Sequence, residues 1–238
     1  MVTYGLTKDF VFQDAVDFLE SKEAVDADVY RRLEKKERDR AFTVSGYTSG
    51  EILNTFLKEL ADAVEEGATM EAFRERMNTF LADNGYEAVN PFHADVIFRT
   101  NVQTAYMAGH YESMQEAKAF RPYWQYKTAG DGKVRDSHLA MADRVYAADD
   151  PIWNIWYPPN GFRCRCTVVS LTKSQLIKRG LTVQKAPPRD IKTGKQLAMP
   201  DKGFSNNPAT TPWHPDLSDF DKTLRGLIKE KQAKGREI

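Results

Sequence analysis

The sequence contains few of the residues that stabilise small secreted proteins or that mark common active sites. Only 2 of its 238 residues are cysteine and only 4 are histidine. The two cysteines are separated by one residue, and a disulfide across so small a ring is strained and constrains almost none of the unfolded chain. The sequence therefore excludes a disulfide-stabilised scaffold, which leaves metal binding, redox chemistry or simple burial for the two thiols.

Long apolar runs and an excess of one charge are also missing. No run is long enough to cross a bilayer, and the first ten residues lack the basic and apolar regions of a signal peptide. We therefore expect a protein made in the cytoplasm without membrane association. Lysine plus arginine equals aspartate plus glutamate at 34 each, which argues against a protein that compacts DNA through charge alone. Ser-His-Asp, P-loop and paired-acid signatures are absent in their proper contexts.

Helical periodicity dominates the first part of the chain. Apolar residues at three- and four-residue intervals predict a helix over residues 7–42, with a break near residues 21–24. The same spacing predicts a helix over residues 52–64 that ends at Gly67, followed by a second helix capped by Thr69. Residues 1–88 are therefore expected to form a helical N-terminal region.

The rest of the chain mixes helix and strand. Asn90 and Pro91 predict the start of a long helix that ends near Phe120. Alternating aromatic and polar residues predict a strand over residues 123–128, and a capped helix is expected from Thr172 to Gly180. We predict an α+β fold in which residues 89–182 form a small mixed domain with a short β-sheet. Residues 183–238 would form an extended arm and a basic C-terminal helix.

The two cysteines lie in a pattern that favours a shared ligand. Pro158-Pro159-Asn160-Gly161 predicts a turn, and the residues after it predict a strand. Cys164 and Cys166 would then share one strand face about 6.5 Å apart. His138 is the expected third ligand, and the thiolate–imidazole set favours zinc. Asp131 is a candidate fourth ligand, and the further candidates are Asp136, His110 and a water molecule. Asp136 can alternatively orient His138, and the thiols can alternatively be small buried hydrophobic residues.

Three arginines and three aromatic residues flank this predicted site. Arg135, Arg163 and Arg165 are candidate contacts for a phosphate backbone. Alternatively, Arg135 pairs with Asp131 or Asp136, and the other two arginines form the outward face of the strand. The aromatic residues are Trp153, Trp156 and Tyr157. They either stack on nucleic-acid bases or pack over the small sheet, and packing is the usual role of aromatic residues in such a loop.

The sequence contains a motif made of Trp124, Thr128, Asp131, Val134, Arg135 and His138. The PPNGFRCRC segment of residues 158–166 follows it. Together, the motif and this segment resemble the phage Mu protein F-like family. This family is also called the phage head morphogenesis or minor head protein family. Residues 201–208, from Asp201 to Pro208 (DKGFSNNP), look like its G-F-x-x-N-P segment, and Arg99-Thr100 is similar to its helical opening. The resemblance covers about residues 90–215.

The resemblance implies a minor, capsid-associated protein of a tailed bacteriophage or prophage that acts in head morphogenesis. Portal and major capsid proteins are the implied partners, and packaged DNA is a further candidate. The protein would be assembled in the bacterial cytoplasm and reside in the virion, inside the capsid or at the portal. In the family the histidine and the CRC pair recur together, which favours the metal site. The alternative is a metal-dependent hydrolase or nuclease that uses His138, Cys164 and Cys166.

Overall fold

The computed structural model describes residues 13–33, 38 and 41–210, and confirms the predicted α+β fold. The helices are α1 (Gln13–Glu20), α2 (Ala27–Arg32), α3 (Gly50–Glu66), α4 (Met70–Asp83), α5 (Pro91–Glu116), α6 (Asp136–Leu139), α7 (Trp153–Trp156) and α8 (Lys173–Lys178). The strands are β1 (Glu23–Ala24), β2 (Ala41–Phe42), β3 (Tyr123–Lys127), β4 (Val145–Ala147) and β5 (Thr167–Leu171). Two 3₁₀ turns, Ala117–Ala119 and Pro208–Thr210, complete the described elements.

The longest helices begin and end where the sequence predicts. α3 ends at Gly67, whose φ of 67° is in the left-handed region that glycine adopts without strain. The Thr69 side chain accepts a hydrogen bond from the amide of Ala72 at the start of α4. α5 begins at Pro91, after the Asn90 side chain has capped the first free amides. These caps separate the α3–α4 hairpin from α5 at the positions expected from the sequence.

The prediction of a helix over residues 7–42 is wrong in part. Its described portion contains the short helices α1 and α2, separated by β1, and then β2. β1 and β2 pair in parallel, with Glu23 opposite Ala41 and Ala24 opposite Phe42. A two-residue strand has no periodicity of its own, and its pairing depends on contacts between distant residues.

The second half contains a three-stranded antiparallel sheet in the order β4-β3-β5. Trp124 lies opposite Tyr146 of β4 and Ser170 of β5. The predicted strand after the Pro-Pro turn begins later than expected, at Thr167, so both cysteines lie in the irregular segment that leads into β5. Burial nevertheless alternates through this segment, because Cys164 and Cys166 are buried and Arg165 is exposed.

α5 is shared between two hydrophobic cores. The first core combines α1, α3 and α4 with α5 residues from Ala94 to Ala108, and its fully buried members include Leu53, Phe56 and Phe73. The second core combines the C-terminal part of α5 with the three-stranded sheet and the segments around it. Its largest buried side chains are Trp124, Tyr126, Tyr146, Trp153, Trp156 and Tyr157. Trp153 and Trp156 form α7 where a loop was expected, and both pack in the core instead of facing outward for base stacking.

The described part of the arm folds back over the second core. The amide of Gln184 donates to the carbonyl of Val145, and the Tyr146 hydroxyl donates to the carbonyl of Ala186. Further along, the amide of Asp201 donates to the carbonyl of Asn160. The predicted basic helix after residue 216 lies outside the described residues. Among the described helices, none combines the length and the apolar character that a membrane crossing requires.

Candidate metal centre

The structure brings Cys164, Cys166 and His138 together from two segments of the second core. The amide of Cys164 donates to the carbonyl of Gly161, which holds the segment against the preceding turn. The Gln103 side chain on α5 donates to the carbonyl of Cys166 at 2.9 Å. His138 projects from α6, whose first turn closes through a bond from the His138 amide to the carbonyl of Arg135.

The three side chains have the spacing of ligands around one ion. His138 Nδ1 lies 3.8 Å from Cys164 Sγ and 3.6 Å from Cys166 Sγ, and all three ligand atoms lie within 4.8 Å of one another. Zinc bonds of about 2.3 Å to sulfur and about 2.0 Å to nitrogen, at a tetrahedral angle, separate sulfur from nitrogen by about 3.6 Å. The observed distances therefore fit a tetrahedral ion bound by two thiolates and Nδ1.

The three side chains of the cluster are buried, and the space beside them is small. His138 is 1% exposed and each cysteine is 3% exposed. A cavity of about 20 Å³ borders all three side chains, with Lys133, Arg135 and Arg165 around its rim. That volume has room for about one ion or one water molecule. The arrangement can hold an ion but offers little room for an organic substrate beside it.

The two thiols do not ionise alike. The pKa of Cys164 is lowered, chiefly because Cys166 donates a hydrogen bond to its thiolate, and His138 adds to the effect. The same hydrogen bond, together with burial, raises the pKa of Cys166. The Tyr126 hydroxyl lies beside Cys166 and donates to Asn160 Oδ1 at 2.8 Å. A bound cation would favour the thiolate form of both cysteines.

The remaining candidate ligands lie elsewhere. The Asp131 carboxylate is exposed and accepts two hydrogen bonds from Arg165, at 2.7 and 2.8 Å. Hydrogen bonding to Arg165 lowers the pKa of Asp131 to about 2. His110 Nε2 bonds to the carbonyl of Val168 at 2.8 Å, and Asp136 is exposed on α6. Among the described residues, the geometric cluster therefore consists of His138 and the two cysteines, without Asp131, Asp136 or His110.

Each of the three candidate phosphate-binding arginines has a carboxylate partner. Arg165 pairs with Asp131, as described, and Arg163 Nε lies 2.6 Å from Asp95 Oδ2. Arg135 was expected to pair with Asp131 or Asp136, and that expectation is wrong: its Nε lies 3.1 Å from Asp201 Oδ2. Asp201 is far away in the sequence, so the spacing of charges near Arg135 could not identify it.

Asp201 is the residue near the cluster that the sequence reasoning missed. Its Oδ1 lies 4.0 Å from His138 Nε2, on the side of the imidazole opposite the sulfurs. Gly161 makes this approach possible, because a Cβ at residue 161 would overlap the Asp201 carboxylate. Just after this turn, Arg163 has a positive φ of 55°. The available signal was the family-like segment that begins at Asp201, whose contact with the turn was not foreseen.

These features define a class: an α+β protein with a shared long helix and a buried Cys₂His cluster beside a small antiparallel sheet. Residues 54–169 match the family described as Phage Mu protein F like protein. This match runs from α3 into β5 and confirms the resemblance noted in the sequence.

Two curated relatives extend the similarity over most of the chain. The Mu-like prophage FluMu F protein of Haemophilus influenzae is 29% identical over 237 residues, covering 88% of this chain and 57% of the relative. The putative capsid assembly protein F of Escherichia phage Mu is also 29% identical over 237 residues, covering 83% of this chain and 53% of the relative. The chain thus spans about half the length of these relatives. No solved structure matches it.

Proposed function

We propose that this chain acts in phage head morphogenesis as a minor, capsid-associated protein. The observation that supports this proposal most strongly is its similarity, over 83% of its length, to a protein named as a putative capsid assembly protein. The family match over residues 54–169 adds support from the part of the chain that contains the cysteine–histidine cluster and most of the second core.

The proposed partners are the portal protein and the major capsid protein, and the proposed location is the virion, inside the capsid or at the portal. Packaged DNA is a further candidate partner. The described structure gives DNA binding limited support, because Arg135, Arg163 and Arg165 each already face a carboxylate. A phosphate group would have to displace Asp201, Asp95 or Asp131 to bind there.

A gene-replacement experiment tests the assembly role. The phage or prophage that encodes the protein would be induced with the gene deleted, and with the gene supplied in trans as a control. We expect deletion to abolish complete heads in electron micrographs and to reduce infectious titre, with recovery on complementation. Heads of normal number and shape after deletion would overturn the proposal.

Cross-linking mass spectrometry of purified particles would identify the contacted proteins, and only portal or major capsid cross-links support the proposed partners.

We also propose that the cluster holds a structural zinc ion, which fits the Cys₂His donor set, its 3.6 and 3.8 Å spacings and its burial. Zinc would crosslink the segment before β5 to α6 and so stabilise the second core. Elemental analysis of the purified full-length protein tests this: about one zinc per chain is expected, and a metal-free protein that takes up none from a zinc buffer contradicts it.

The hydrolase or nuclease hypothesis uses the same three residues and places a reactive water at the fourth coordination position of the ion. The cavity of about 20 Å³ at the cluster gives it little support. Incubating the zinc-loaded protein with DNA and with a chromogenic phosphodiester tests it, with His138→Ala as the comparison. We expect no turnover above background. Turnover that His138→Ala removes, at unchanged stability, would favour the enzyme.

A further inference from the structure

The buried imidazole of His138 has one nitrogen without a partner. Nδ1 faces the two sulfurs, whereas Nε2 is buried and has no hydrogen-bond partner among the described residues. When a metal binds Nδ1 of a neutral imidazole, the proton resides on Nε2, and that N–H needs an acceptor. Leaving such a buried donor unpaired would destabilise the folded protein. A carboxylate oxygen, Asp201 Oδ1, lies 4.0 Å from Nε2.

Asp201 is held beside the imidazole by two contacts, and the glycine at position 161 leaves space for its carboxylate. Its amide donates to the carbonyl of Asn160 at 2.9 Å, and its carboxylate faces Arg135 Nε at 3.1 Å. The missing side chain of Gly161 provides the space that the carboxylate occupies. A movement of roughly 1 Å would bring Oδ1 within hydrogen-bond distance of Nε2. The carboxylate is therefore aimed at the one atom of the cluster that requires an acceptor.

The segment that carries Asp201 packs against the turn that precedes the cysteines. Phe204 meets Phe162 edge to face, with ring centroids 4.9 Å apart, and its amide donates to the carbonyl of Asp201. Both rings border a cleft of about 520 Å³, whose other walls include α5 and β2. The position of this segment therefore shapes one wall of the cleft.

We propose that Asp201 is a positioning residue of the metal site and that metal binding fastens residues 200–206 to the second core. This inference rests on the zinc site proposed above. Zinc bound to Nδ1 of His138 fixes the tautomer that carries its proton on Nε2. Because this N–H then donates a hydrogen bond to the Asp201 carboxylate, residues 200–206 are held in place. Removing zinc releases the tautomer, weakens this hydrogen bond and loosens the segment together with the cleft wall that it forms.

The first test compares metal affinity in matched variants of the full-length protein. Zinc affinity would be measured by competition with a chromogenic chelator, and the ligand set by the absorption spectrum of the cobalt form. Asp201→Asn and Gly161→Ala are expected to lower zinc affinity by about 10–100-fold while the cobalt–thiolate bands remain. The controls are Asp28→Asn, which removes an arginine-paired carboxylate on α2, and Gly132→Ala, where a Cβ meets no atom within 4 Å. Both controls should bind zinc like the wild type.

The second test follows amide hydrogen exchange of residues 200–206 by mass spectrometry, with zinc and after chelation. Chelation should speed hydrogen exchange of the Asp201 and Phe204 amides. In the Asp201→Asn variant, the amides of residues 200–206 should exchange quickly even with zinc bound. Amides of α3 serve as the internal reference.

Zinc removal that leaves exchange of the segment unchanged overturns the fastening role alone. Variants that bind zinc within twofold of the wild type, or a cobalt spectrum altered by Asp201→Asn, overturn the positioning role. A wild type that takes up no zinc overturns this inference and the zinc site, whereas the assembly role depends on the gene deletion.

Discussion

At the scale of single residues, the cysteine pair and His138 should behave as one unit. Replacing Cys164 by serine removes one thiolate from the proposed site and so removes the zinc-linked part of the stability. At free zinc of 100 times Kd this contribution is about 2.7 kcal/mol. For a chain of this size the melting temperature should fall by about 5–10 °C. Scanning calorimetry in a zinc buffer checks the expectation.

The matching control for Cys164→Ser is the wild type after chelation. The two samples should melt at nearly the same temperature, and adding zinc should restore only the wild type. A wild-type melting temperature that does not respond to zinc would show that the cluster acts as plain core packing, which was the alternative left open by the sequence.

Asp131 provides a second residue-scale prediction, one that depends on pH. The hydrogen bonds from Arg165 hold the pKa of Asp131 at about 2, below its ordinary value of 3.8. Because the folded-state pKa is lowered, the stabilisation is present above pH 3.8 and is lost as pH falls through about 2. Carboxyl carbon NMR should show this titration, and Arg165→Gln should return the pKa toward its ordinary value. An unchanged pKa in Arg165→Gln would contradict the assigned pairing.

The sequence was informative about the ligands and uninformative about their neighbours. Two thiols one residue apart, with a histidine before them, predict a shared cluster from their chemistry alone. The structure contains this cluster even though the segment with the thiols is not a strand. The partner of a carboxylate follows no such pattern. Asp131 is closer to Arg135 in sequence, but Arg135 pairs with Asp201 because the arm folds back across the turn at Gly161. That path depends on packing between segments far apart in the chain.

At the scale of elements, α5 supports β5 through polar side chains. β5 lies at the edge of the sheet, and Gln103 and His110 bond to the carbonyls of Cys166 and Val168. Gln103→Ala would leave the Cys166 carbonyl without its side-chain partner, which costs about 1–3 kcal/mol in a buried setting. Chemical denaturation should show this loss. Gln13→Ala, at an exposed glutamine on α1, is the control and should change stability by no more than about 0.5 kcal/mol. Equal effects of the two substitutions would contradict the supporting role of Gln103.

Elements with their own periodicity or caps were predictable, and elements made by pairing were not. α3, α4 and α5 have long apolar stripes or caps at Thr69 and Asn90, so local rules sufficed. β1 and β2 have two residues each and are defined by each other. α7 is a single turn, four residues long, and buries Trp153 and Trp156. Its burial was predictable from composition, but its helical turn depends on the surrounding core.

At the scale of the whole molecule, one helix joins two cores of different composition. The first core is mainly aliphatic with phenylalanine, whereas the second contains the described tryptophans and the cysteine–histidine cluster. Zinc at the cluster would stabilise the second core directly. It would reach the first core only through α5, since Ala105 of that helix packs in the first core and Met107 in the second.

This division predicts that zinc removal separates two thermal transitions. Tryptophan fluorescence reports chiefly the second core, because Trp124, Trp153 and Trp156 are all buried there. Far-ultraviolet circular dichroism reports chiefly the helices, which include the long α3 and α4 of the first core. With zinc the two midpoints should coincide, and after chelation the fluorescence midpoint should fall below the circular dichroism midpoint.

The control is Phe73→Leu in the first core, which should lower the circular dichroism midpoint more than the fluorescence midpoint. Equal shifts of both midpoints on chelation would show that α5 couples the cores into one cooperative unit, so that the metal stabilises the described fold as a whole.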